Sequence, residues 1–398
     1  MKNIMKLRKL TSSAVQNKTI LLRTGFDVPV KHNKVLDDSR IKDALQTIRF
    51  LINNNCRIII ITHLKRPEGI IVPELRVGVL AKHLQTLINV KVKKSDYSIG
   101  IEKELADLKP REILMLENIR FHEEETSKNP TKRKHLAKIL ARYGDVYVNE
   151  AFSDCHREHA SITEIPKYLP SYPGFALTKE IETIQTIMKK AKKPFIIILG
   201  GAKLKTKIPI IEHLLPKATK ILLGGAMIFT FYAAKGINVG KSLVEQEEIQ
   251  DALRIMSIAK KKLVLPVDVV AATKLDNTAH IMDVHANRIP SSMIGVDIGE
   301  VTITHFKKYL KDAKTILWNG PLGVYEIKKF GSGTIEIAEY VANKIPKNTV
   351  KVIGGGDIGD VIHDLKLEKK MTLVSTGGGA SLAMFSGKKL PGLKPLSD

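Results

Sequence analysis

The chain has 398 residues, and its 64 Lys and Arg against 41 Asp and Glu give a formal net charge of +23. Its 43% hydrophobic and 26% charged residues are typical of a globular protein, which excludes a disordered, collagen-like or disulfide-stapled chain. Two cysteines are too few for a four-thiolate metal site, and the longest apolar runs fall far short of the roughly 20 residues that cross a bilayer.

Short apolar runs rich in Ile, Val and Leu recur along the chain, and amphipathic, helix-like stretches separate them. In chain order these runs lie near residues 20, 60, 114, 147, 197, 222, 266, 317, 352 and 374. Runs of this kind are typical of parallel strands that crossover helices bury on both faces. We therefore predict an α/β fold of the doubly wound, Rossmann-like type, and the length favours two such sheets in two domains.

The segment 177–192 lies at mid-chain and is predicted to be the helix that joins the two domains. Its apolar residues at 181, 184, 187 and 188 share one helical face, and its last turn is basic, which suits the helix dipole. We predict an N-terminal domain over residues 1–176 and a C-terminal domain that begins at residue 193.

The first eighteen residues are basic and contain no acid, as targeting segments often do. They lack a continuous apolar core and a cleavage-like end, so we expect neither export nor import. With two cysteines, Cys56 and Cys155, that form no disulfide framework, and no candidate membrane span, we predict a cytoplasmic protein.

The net charge of +23 raises the question of a nucleic-acid partner, because clustered Lys and Arg gain affinity by releasing counterions from phosphates. The lysines are spread through nearly every segment, and the sequence lacks the interleaved aromatic and basic residues that stack bases. We therefore attribute the charge to a Lys-rich composition with a few anion sites, and we expect no nucleic-acid partner.

In the second half of the chain, four predicted strands end in glycine clusters, which are Gly200-Gly201, Gly224-Gly225, Gly354-Gly355-Gly356 and Gly377-Gly378-Gly379. A glycine turn between a strand and a helix lets backbone N–H groups approach an anion. Ligands of such sheets bind at the carboxyl edge, so the four clusters together predict a phosphate-binding site. The chain has no GxxxxGK[ST] motif, which excludes a Walker nucleotide site.

The first half instead places basic residues just after predicted strands or in loops. These are Arg40, His63 with Arg66, Arg120 with His122, and His156 with Arg157 and His159. Each one alone is more often a solvated surface residue. Their recurrence at strand ends of one sheet predicts a cationic site for a small phosphorylated anion, because the arginine fork binds phosphate and carboxylate groups in two places.

Thirteen short sequence motifs of the chain resemble those of a known family. They are RTGFDVP (23–29), DDSRI (37–41), HLKRP (63–67), LENIRFHEEE (116–125), GDVYVNEAF (144–152), HREHAS (156–161), GGAK (200–203), GKSLVE (240–245), LPVDVV (265–270), GVDIG (295–299), WNGPLGVYE (318–326), GGGD (354–357) and STGGGASL (375–382). In this order, from about residue 7 to the C-terminus, the chain resembles the phosphoglycerate kinase family.

The resemblance implies a monomeric, hinge-bending enzyme that transfers a phosphoryl group reversibly between an acyl phosphate and ADP. The N-terminal domain would bind 3-phosphoglycerate or 1,3-bisphosphoglycerate, and the C-terminal domain, over 193–374, would bind ADP or ATP with Mg²⁺. Residues 375–398 would return to the N-terminal domain. The nucleophile of this reaction is already charged, so catalysis would consist of positioning and charge neutralisation.

Site residues follow from the resemblance only where the motifs match. Arg40, Lys203 and Lys207 would be catalytic, and Asp357 would hold Mg²⁺. The triose phosphate would meet Gly25, Phe26, Asp27, Arg40, His63, Leu64, Lys65, Arg66, Arg120 and Arg157. The nucleotide would meet Gly201, Ala202, Lys203, Lys207, Gly225, Gly295, Asn319, Pro321, Glu326, Gly355, Gly356, Asp357 and Ile358.

Three of these assignments have structural alternatives. Asp357 follows three glycines and would also serve as a helix N-cap. Lys203 and Lys207 would also suit a solvated loop. We expect His122 and His159 to be structural, and no group of residues has metal-ligand spacing.

The chain departs from the family pattern near the predicted chemistry. The family motif DFN is replaced by Gly25-Phe26-Asp27, and HLGR has Lys65 in place of its glycine. AFGTAHR has Ser153-Asp154-Cys155 in place of Gly, Thr and Ala. SDK is replaced by Lys205-Thr206-Lys207, and Ile358 stands in place of the last residue of GGGDS or GGGDT. Losing one well-placed donor in such a site costs roughly 2–4 kcal/mol of transition-state stabilisation. Asp27 and Asp154 would also repel an anionic ligand unless a cation such as Lys65 offsets them.

Two interpretations therefore remain open from the sequence. The chain is either an active, divergent phosphoglycerate kinase, or a paralogue with reduced or lost activity that binds an anion or nucleic acid.

Overall fold

The computed structural model describes residues 5–398. The first four residues of the predicted N-terminal domain, which also begin the basic segment considered above, lie outside the described residues. The chain forms two compact units, which we call unit 1 (the chain up to Glu182, with Lys389–Asp398) and unit 2 (Thr183–Lys388). The described residues include no helix with the length and apolar character needed to span a membrane.

Unit 1 is built on a six-stranded parallel sheet with a small hairpin beside it. Its strands are β1 Thr19–Arg23, β2 Val30–Lys31, β3 Lys34–Val35, β4 Arg57–Ile61, β5 Val92–Lys94, β6 Ile113–Met115, β7 Val146–Asn149 and β8 Ser171–Pro173. The sheet has the order β5-β6-β4-β1-β7-β8, and β2 pairs with β3. The helices are α1 Ser12–Val15, α2 Ser39–Asn53, α3 Gly78–Leu87, α4 Glu102–Ala106, α5 Glu123–Thr126, α6 Pro130–Ala141 and α7 Phe175–Lys190.

Unit 2 has a second six-stranded parallel sheet and a separate antiparallel sheet of three strands. Its strands are β9 Phe195–Leu199, β10 Lys220–Leu223, β11 Leu263–Val264, β12 Asp268–Ala272, β13 Ile281–His285, β14 Ile294–Ile298, β15 Thr315–Asn319, β16 Val350–Gly354 and β17 Leu373–Ser375. The sheet orders are β11-β10-β9-β15-β16-β17 and β13-β12-β14. The helices are α8 Ile208–Leu214, α9 Ile228–Ala234, α10 Ile249–Ala259, α11 Glu300–Leu310, α12 Ser332–Asn343, α13 Gly356–Asp364 and α14 Gly379–Phe385.

The prediction of two doubly wound parallel sheets is confirmed. The central strands read as unbroken apolar runs because helices cover both faces of each sheet: β9 is buried at every position, and β4 at its four isoleucines. The order of both sheets reverses beside the first strand of the unit, β1 or β9, and ligands of this fold bind at that place.

The prediction of a single strand near residue 266 is wrong. Pro266 separates β11, at the edge of the parallel sheet, from β12, which pairs antiparallel with β13 and β14. A proline has no N–H to donate to a sheet ladder, so it ends one strand and lets the chain join another sheet.

The helix predicted over 177–192 is α7, two residues earlier at both ends, and it leads from unit 1 into unit 2. The residues proposed to return to the first domain begin at 389 in the structure rather than at 375. Residues 375–388 stay with unit 2 because β17 pairs with β16 and α14 packs on α8. The last ten residues contact unit 1, where the N–H of Gly392 donates to the carbonyl of Cys155 at 2.9 Å.

Candidate functional site

Four adjacent strands of unit 1 end in loops that bring two of the predicted basic residues together with two acids. In sheet order these strands are β6, β4, β1 and β7, and the loops after them carry Arg120, His63, Asp27 and Asp154 respectively. Carboxyl ends of parallel strands share one edge of the sheet, so loops distant in sequence meet there. The sequence predicted Arg120, His63 and Asp27 at one site and Asp154 as a negative charge near its ligand. Side-chain contacts link all four residues.

Asp154 is the centre of this cluster. Its Oδ1 accepts a hydrogen bond from Nη2 of Arg120 at 3.0 Å, and its Oδ2 accepts one from Nη2 of Arg23 at 3.1 Å. All three side chains are nearly or completely buried. Burial alone would raise the pKa of Asp154, but His63 when it is protonated, and the permanent charges of Arg23 and Arg120, hold it well below its ordinary value. The carboxylate therefore stays charged at neutral pH and fixes both guanidinium groups.

His63 lies between two carboxylates and acts as a neutral donor. Nη2 of Arg23 donates to its Nδ1 at 3.1 Å, which leaves the ring proton on Nε2. That nitrogen points toward Oδ2 of Asp27, 3.7 Å away. Burial lowers the pKa of His63, and the nearby carboxylate of Asp154 only partly opposes this. The neutral ring can orient a ligand, but it adds no charge.

Asp27 is held by backbone and side-chain donors. Its Oδ1 accepts the N–H of Lys65 at 2.9 Å, and Nη1 of Arg40 donates to its carbonyl at 2.8 Å. Lys65 adopts φ +56°, a conformation that favours glycine, and its carbonyl also accepts from Arg120. The sequence named Lys65 as a cation that would offset Asp27. The contact in the structure is the one from its backbone amide, and the Lys65 residue is exposed to solvent.

Four further residues predicted for this site divide into two groups. Arg157 is half-buried, and its Nε hydrogen-bonds Nε2 of His156, while Arg66 is exposed. Phe26 and Leu64 were expected to meet the substrate, but both side chains are buried in the hydrophobic core of unit 1. The motif gives a position in the chain and not the direction of the side chain, so the contact of these two residues with a substrate stays a prediction. Only their backbone groups can face a ligand.

Three buried nitrogens at this edge have no hydrogen-bond partner within the described residues. They are Nε of Arg120, Nδ1 of His156 and Nδ1 of His159. Burial lowers the pKa of His159 to about 3, so this ring is neutral. Buried polar groups are normally satisfied by protein, water or ligand, and the open donor on an arginine favours an anionic ligand.

The sequence analysis missed two residues of the cluster, Arg23 and Glu125. Arg23 is completely buried, and its Nε donates to Oγ of Ser161 at 2.8 Å. The Oγ of Ser161 in turn lies 2.6 Å from Oε1 of Glu125, which is also completely buried. The sequence did contain a signal for Arg23, because it ends the apolar run TILLR. A buried strand tolerates a charge only beside a partner, so this arginine predicts a buried acid nearby.

The carboxyl edge of the unit 2 sheet gathers three of the four predicted glycine turns beside one another. The N–H of Gly201 donates to the carbonyl of Pro321, and the N–H of Gly225 to that of Leu322, each at 2.8 Å. Gly225 has φ +67°, and a Cβ there would lie 2.5 Å from the carbonyl oxygen of Gly201. Only glycine allows these two turns to pack so closely.

Lys207 and Asn319 connect the turns after β9, β15 and β16. Nζ of Lys207 donates to Oδ1 of Asn319, whose Nδ2 donates to the carbonyl of Gly354. Next in the chain, Gly355 has φ +117°, and a Cβ there would lie 2.6 Å from the same Nδ2. Lys207 is 8% exposed, and burial lowers its pKa to about 8, an effect that the charge of Asp357 opposes. A buried ammonium group without a carboxylate in hydrogen-bond contact is suited to an anionic ligand.

A cavity of about 580 Å³ opens beside these turns in unit 2. Three of the predicted nucleotide-site residues, Pro321, Glu326 and Asp357, line it together with Tyr325 and Ile335. Its volume is in the range of small-molecule sites. Asp357 is exposed in the first turn of α13, and the N-cap is Gly355, so the N-cap alternative for Asp357 is wrong.

The other residues predicted for this site lie as follows. Ala202 and Lys203 are exposed in the turn after β9, and Gly356 is exposed at the start of α13. Gly295 is buried within β14, where its N–H donates to Oγ of Ser242 at 2.9 Å. Ile358 was expected beside the nucleotide, but its side chain is completely buried in the core of unit 2. Its position on α13 points the side chain inward, so only the backbone of Ile358 can face a nucleotide, and its place in that site stays a prediction.

The placement of Ile358 gives a prediction for the Ile358→Thr variant, which restores a hydroxyl that the family pattern carries. We expect a loss of about 1–3 kcal/mol of unfolding free energy, because the hydroxyl would be buried in an apolar core. Activity should change less than about threefold. Urea unfolding and steady-state rates test this, with Val361→Thr as a matched control in the same core. A clear gain in turnover for Ile358→Thr alone would contradict the placement.

Comparisons with known proteins agree over nearly the whole chain. A sequence profile for phosphoglycerate kinase matches residues 10–388. The phosphoglycerate kinase of Trichodesmium erythraeum (strain IMS101) is 41% identical over 395 residues, which is 98% of each chain. The phosphoglycerate kinase of Fervidobacterium nodosum (strain ATCC 35602 / DSM 5306 / Rt17-B1) is 42% identical over 400 residues, covering 98% of this chain and 99% of its own.

Solved structures show the same similarity. The phosphoglycerate kinase from Coxiella burnetii superposes with a TM-score of 0.83 at 33% identity, covering 96% of this chain and 97% of its own. The phosphoglycerate kinase from Pyrococcus horikoshii OT3 superposes with a TM-score of 0.84 at 29% identity, covering 96% of each chain.

Proposed function

This chain belongs to the phosphoglycerate kinase family, and from that premise we propose that it transfers a phosphoryl group reversibly between 1,3-bisphosphoglycerate and ADP, giving 3-phosphoglycerate and ATP. The observation that carries this proposal is the assembly of Lys207, Asn319 and the glycine turns at one sheet edge, next to Asp357. No feature of the described residues favours the alternative of a non-catalytic binding protein.

Unit 1 would bind the triose phosphate at the cluster around Asp154. Arg120 and Arg157 would supply the charge, and Nε of Arg120 is a buried donor without a hydrogen-bond partner within the described residues, which favours an anion nearby. Arg40 would reach the carboxyl end of the substrate, where the phosphoryl group is transferred. Because Asp154 already uses two guanidinium groups, the site carries less free positive charge than its arginines suggest.

Unit 2 would bind the nucleotide phosphates through Lys207, Lys203 and the N–H groups of the glycine turns. Mg²⁺ commonly binds through one or two carboxylates together with substrate phosphates. Asp357 alone at the start of α13 fits that donor set, and the described residues hold no cluster of three or more metal-ligating side chains. When bound, Mg²⁺ would neutralise charge on the phosphates.

The reaction needs no general base, because the attacking oxygen of the carboxylate or of ADP is already negative. The residues therefore orient the two anions and neutralise charge that develops on the moving group. Lys207 does this from a buried position, where its charge is screened little by water. Reacting atoms must approach to about 3–3.5 Å, and the two ligand sites lie on different units, so we propose that the units close during turnover.

We also propose that the protein acts as a cytoplasmic monomer. The two buried free thiols, Cys56 and Cys155, suit a reducing compartment. All residues assigned to the two ligand sites come from a single chain, so the proposed chemistry requires no second copy.

A coupled assay of the purified protein with Mg-ATP and 3-phosphoglycerate tests the proposed activity. We expect turnover above roughly 10 s⁻¹, an ordinary enzyme rate. Calorimetric binding of each substrate under the same conditions serves as the control. Normal binding of both substrates with turnover a thousandfold lower would contradict the proposal and favour the binding-protein alternative.

A further inference from the structure

The lysines of unit 2 gather at the amino edge of its six-stranded sheet, opposite the glycine turns. Each of the six strands either begins with a lysine or has a lysine within the four residues before it. In sheet order from β11 to β17 these lysines, which we call the lysine edge, are Lys260, Lys261, Lys262, Lys217, Lys220, Lys192, Lys193, Lys311, Lys314, Lys347, Lys369 and Lys370. The same segments contain one acid, Asp312. The sequence analysis treated these lysines as scattered because strands that are adjacent in the sheet are distant in the chain.

The charge of the lysine edge is available to a partner. Nine of the twelve residues are exposed, and Lys217, Lys220 and Lys262 are half-buried. These three donate to backbone carbonyls at 2.6, 2.5 and 2.8 Å respectively. In the part of the chain that the structure describes, none of the twelve forms an ion pair with a carboxylate. A partner would not have to displace an internal counterion.

The pKa values of Lys217 and Lys351 each respond to the charge of another lysine. Burial, and then the charge of Lys189, lowers the pKa of Lys217. Burial, and then the charge of Lys370, lowers the pKa of Lys351, which is the second residue of β16. Neighbouring like charges repel each other, and binding of a polyanion would offset that repulsion.

Helix dipoles explain only part of this surplus. Helices of a doubly wound sheet end at its amino edge, where lysines suit the negative end of the dipole. The same argument applies to unit 1, where the corresponding segments hold seven basic residues and two acids, Glu112 and Asp145. Glu112 accepts a 2.7 Å ion pair from Lys93, and Lys167 pairs with Glu164 at 2.6 Å. Twelve lysines against one acid in unit 2 need a further cause.

We propose that the lysine edge binds the phosphate backbone of a nucleic-acid double helix without reading its sequence. Six strands about 4.8 Å apart give an edge of about 24 Å, and a duplex carries one negative charge per about 1.7 Å of its axis. Lysines on flexible stems contact phosphates as point charges, which positions a protein but does not select bases. The sheet has its glycine turns at the other edge, so this binding leaves the proposed nucleotide site open.

Two other polyanions fit the lysine edge less well. Single strands are held by stacking their bases on aromatic residues. Among the residues that the structure describes, Tyr309, beside Lys220, is the one exposed aromatic next to these segments. An anionic membrane requires a second, apolar anchor in addition to basic charge. Within the described residues, the large exposed apolar side chains beside these segments are Tyr309 and Ile258, which are too few to form such an anchor.

The test measures binding of a fluorescein-labelled duplex of random sequence, about 20 base pairs long, to the full chain by anisotropy at several salt concentrations. We expect a Kd of about 10⁻⁵–10⁻⁶ M near 0.1 M salt, and a slope of log K against log salt between about −3 and −6. The edge variant carries Lys261→Gln, Lys314→Gln, Lys347→Gln and Lys370→Gln, all at exposed positions. It should bind at least about tenfold more weakly, with a slope smaller by more than about one.

The matched control neutralises four exposed lysines of unit 1, with Lys82→Gln, Lys128→Gln, Lys134→Gln and Lys138→Gln. It has the same net charge as the edge variant and should bind within about twofold of the parent chain. Both variants should keep the parent kinase turnover, which shows that they fold. Equal weakening in the two variants, or tighter binding to vesicles rich in phosphatidylserine than to the duplex, would overturn the proposal.

Discussion

The Lys207→Met variant should lose about 10²–10³-fold in kcat while keeping its fold. The ammonium group is preorganised by Asn319 and buried beside the glycine turns, where one donor to developing charge contributes about 3–4 kcal/mol to transition-state stabilisation. Methionine has similar length and no charge, so it removes the donor and leaves the packing. Steady-state kinetics with Mg-ATP and 3-phosphoglycerate measure the effect.

The same variant should be more stable than the parent chain at neutral pH. Burial lowers the pKa of Lys207 from 10.5 to about 8, so the unfolded state binds more protons between these two values. The cost of burying the charge is therefore fully present below about pH 8 and disappears as the pH rises toward 10.5. Lys205→Met, in the same turn with a 70% exposed side chain, is the control and should change both quantities little. A Lys207→Met protein with normal kcat would contradict the assignment.

The Asp154→Asn variant should lose about 3–5 kcal/mol of unfolding free energy, because it leaves two buried guanidinium groups without their shared carboxylate. Arg23 is completely buried and Arg120 is 4% exposed, so water cannot replace the lost charge. Denaturant unfolding at neutral pH measures this loss. Glu158→Gln is the control, since Glu158 is 67% exposed in its pair with Arg133 and should contribute less than about 1 kcal/mol.

The pH dependence of this difference follows from the direction of the pKa shift. The folded pKa of Asp154 lies below its ordinary value of 3.8, so the stabilisation is fully present above that value and is lost as the pH falls through the folded pKa. The gap between parent and Asp154→Asn should therefore be constant from about pH 5 to 8 and shrink at lower pH. A gap that stays constant down to about pH 2 would contradict a charged, paired carboxylate at this position.

The strands were predictable because the apolar runs have a direct physical cause, burial on both faces by crossover helices. The break at Pro266 was visible in the sequence, but pairing of β12 in a separate sheet depends on contacts far along the chain. Motif resemblance placed Phe26, Leu64 and Ile358 at the two sites. Their side chains instead fill the cores, because a motif aligns positions and does not give side-chain direction.

The cluster of unit 1 shows a second limit of sequence reasoning. Asp154 was expected to weaken anion binding, and its bridging of Arg23 and Arg120 could not be derived without the sheet order that brings β1, β6 and β7 loops together. The lysine edge was hidden for the same reason. In each case single residues are ordinary, and the fold makes them a group.

We propose that the two anions bind to separate units, each by its own residues. Isothermal titration of 3-phosphoglycerate and of Mg-ADP, one ligand at a time, tests it on the parent chain, Arg157→Met and Lys207→Met. We expect Arg157→Met to weaken the binding of 3-phosphoglycerate at least about tenfold and to leave the affinity for Mg-ADP unchanged. Lys207→Met should weaken the binding of Mg-ADP and leave the affinity for 3-phosphoglycerate unchanged. If either variant weakens both ligands equally, the two-site account is contradicted.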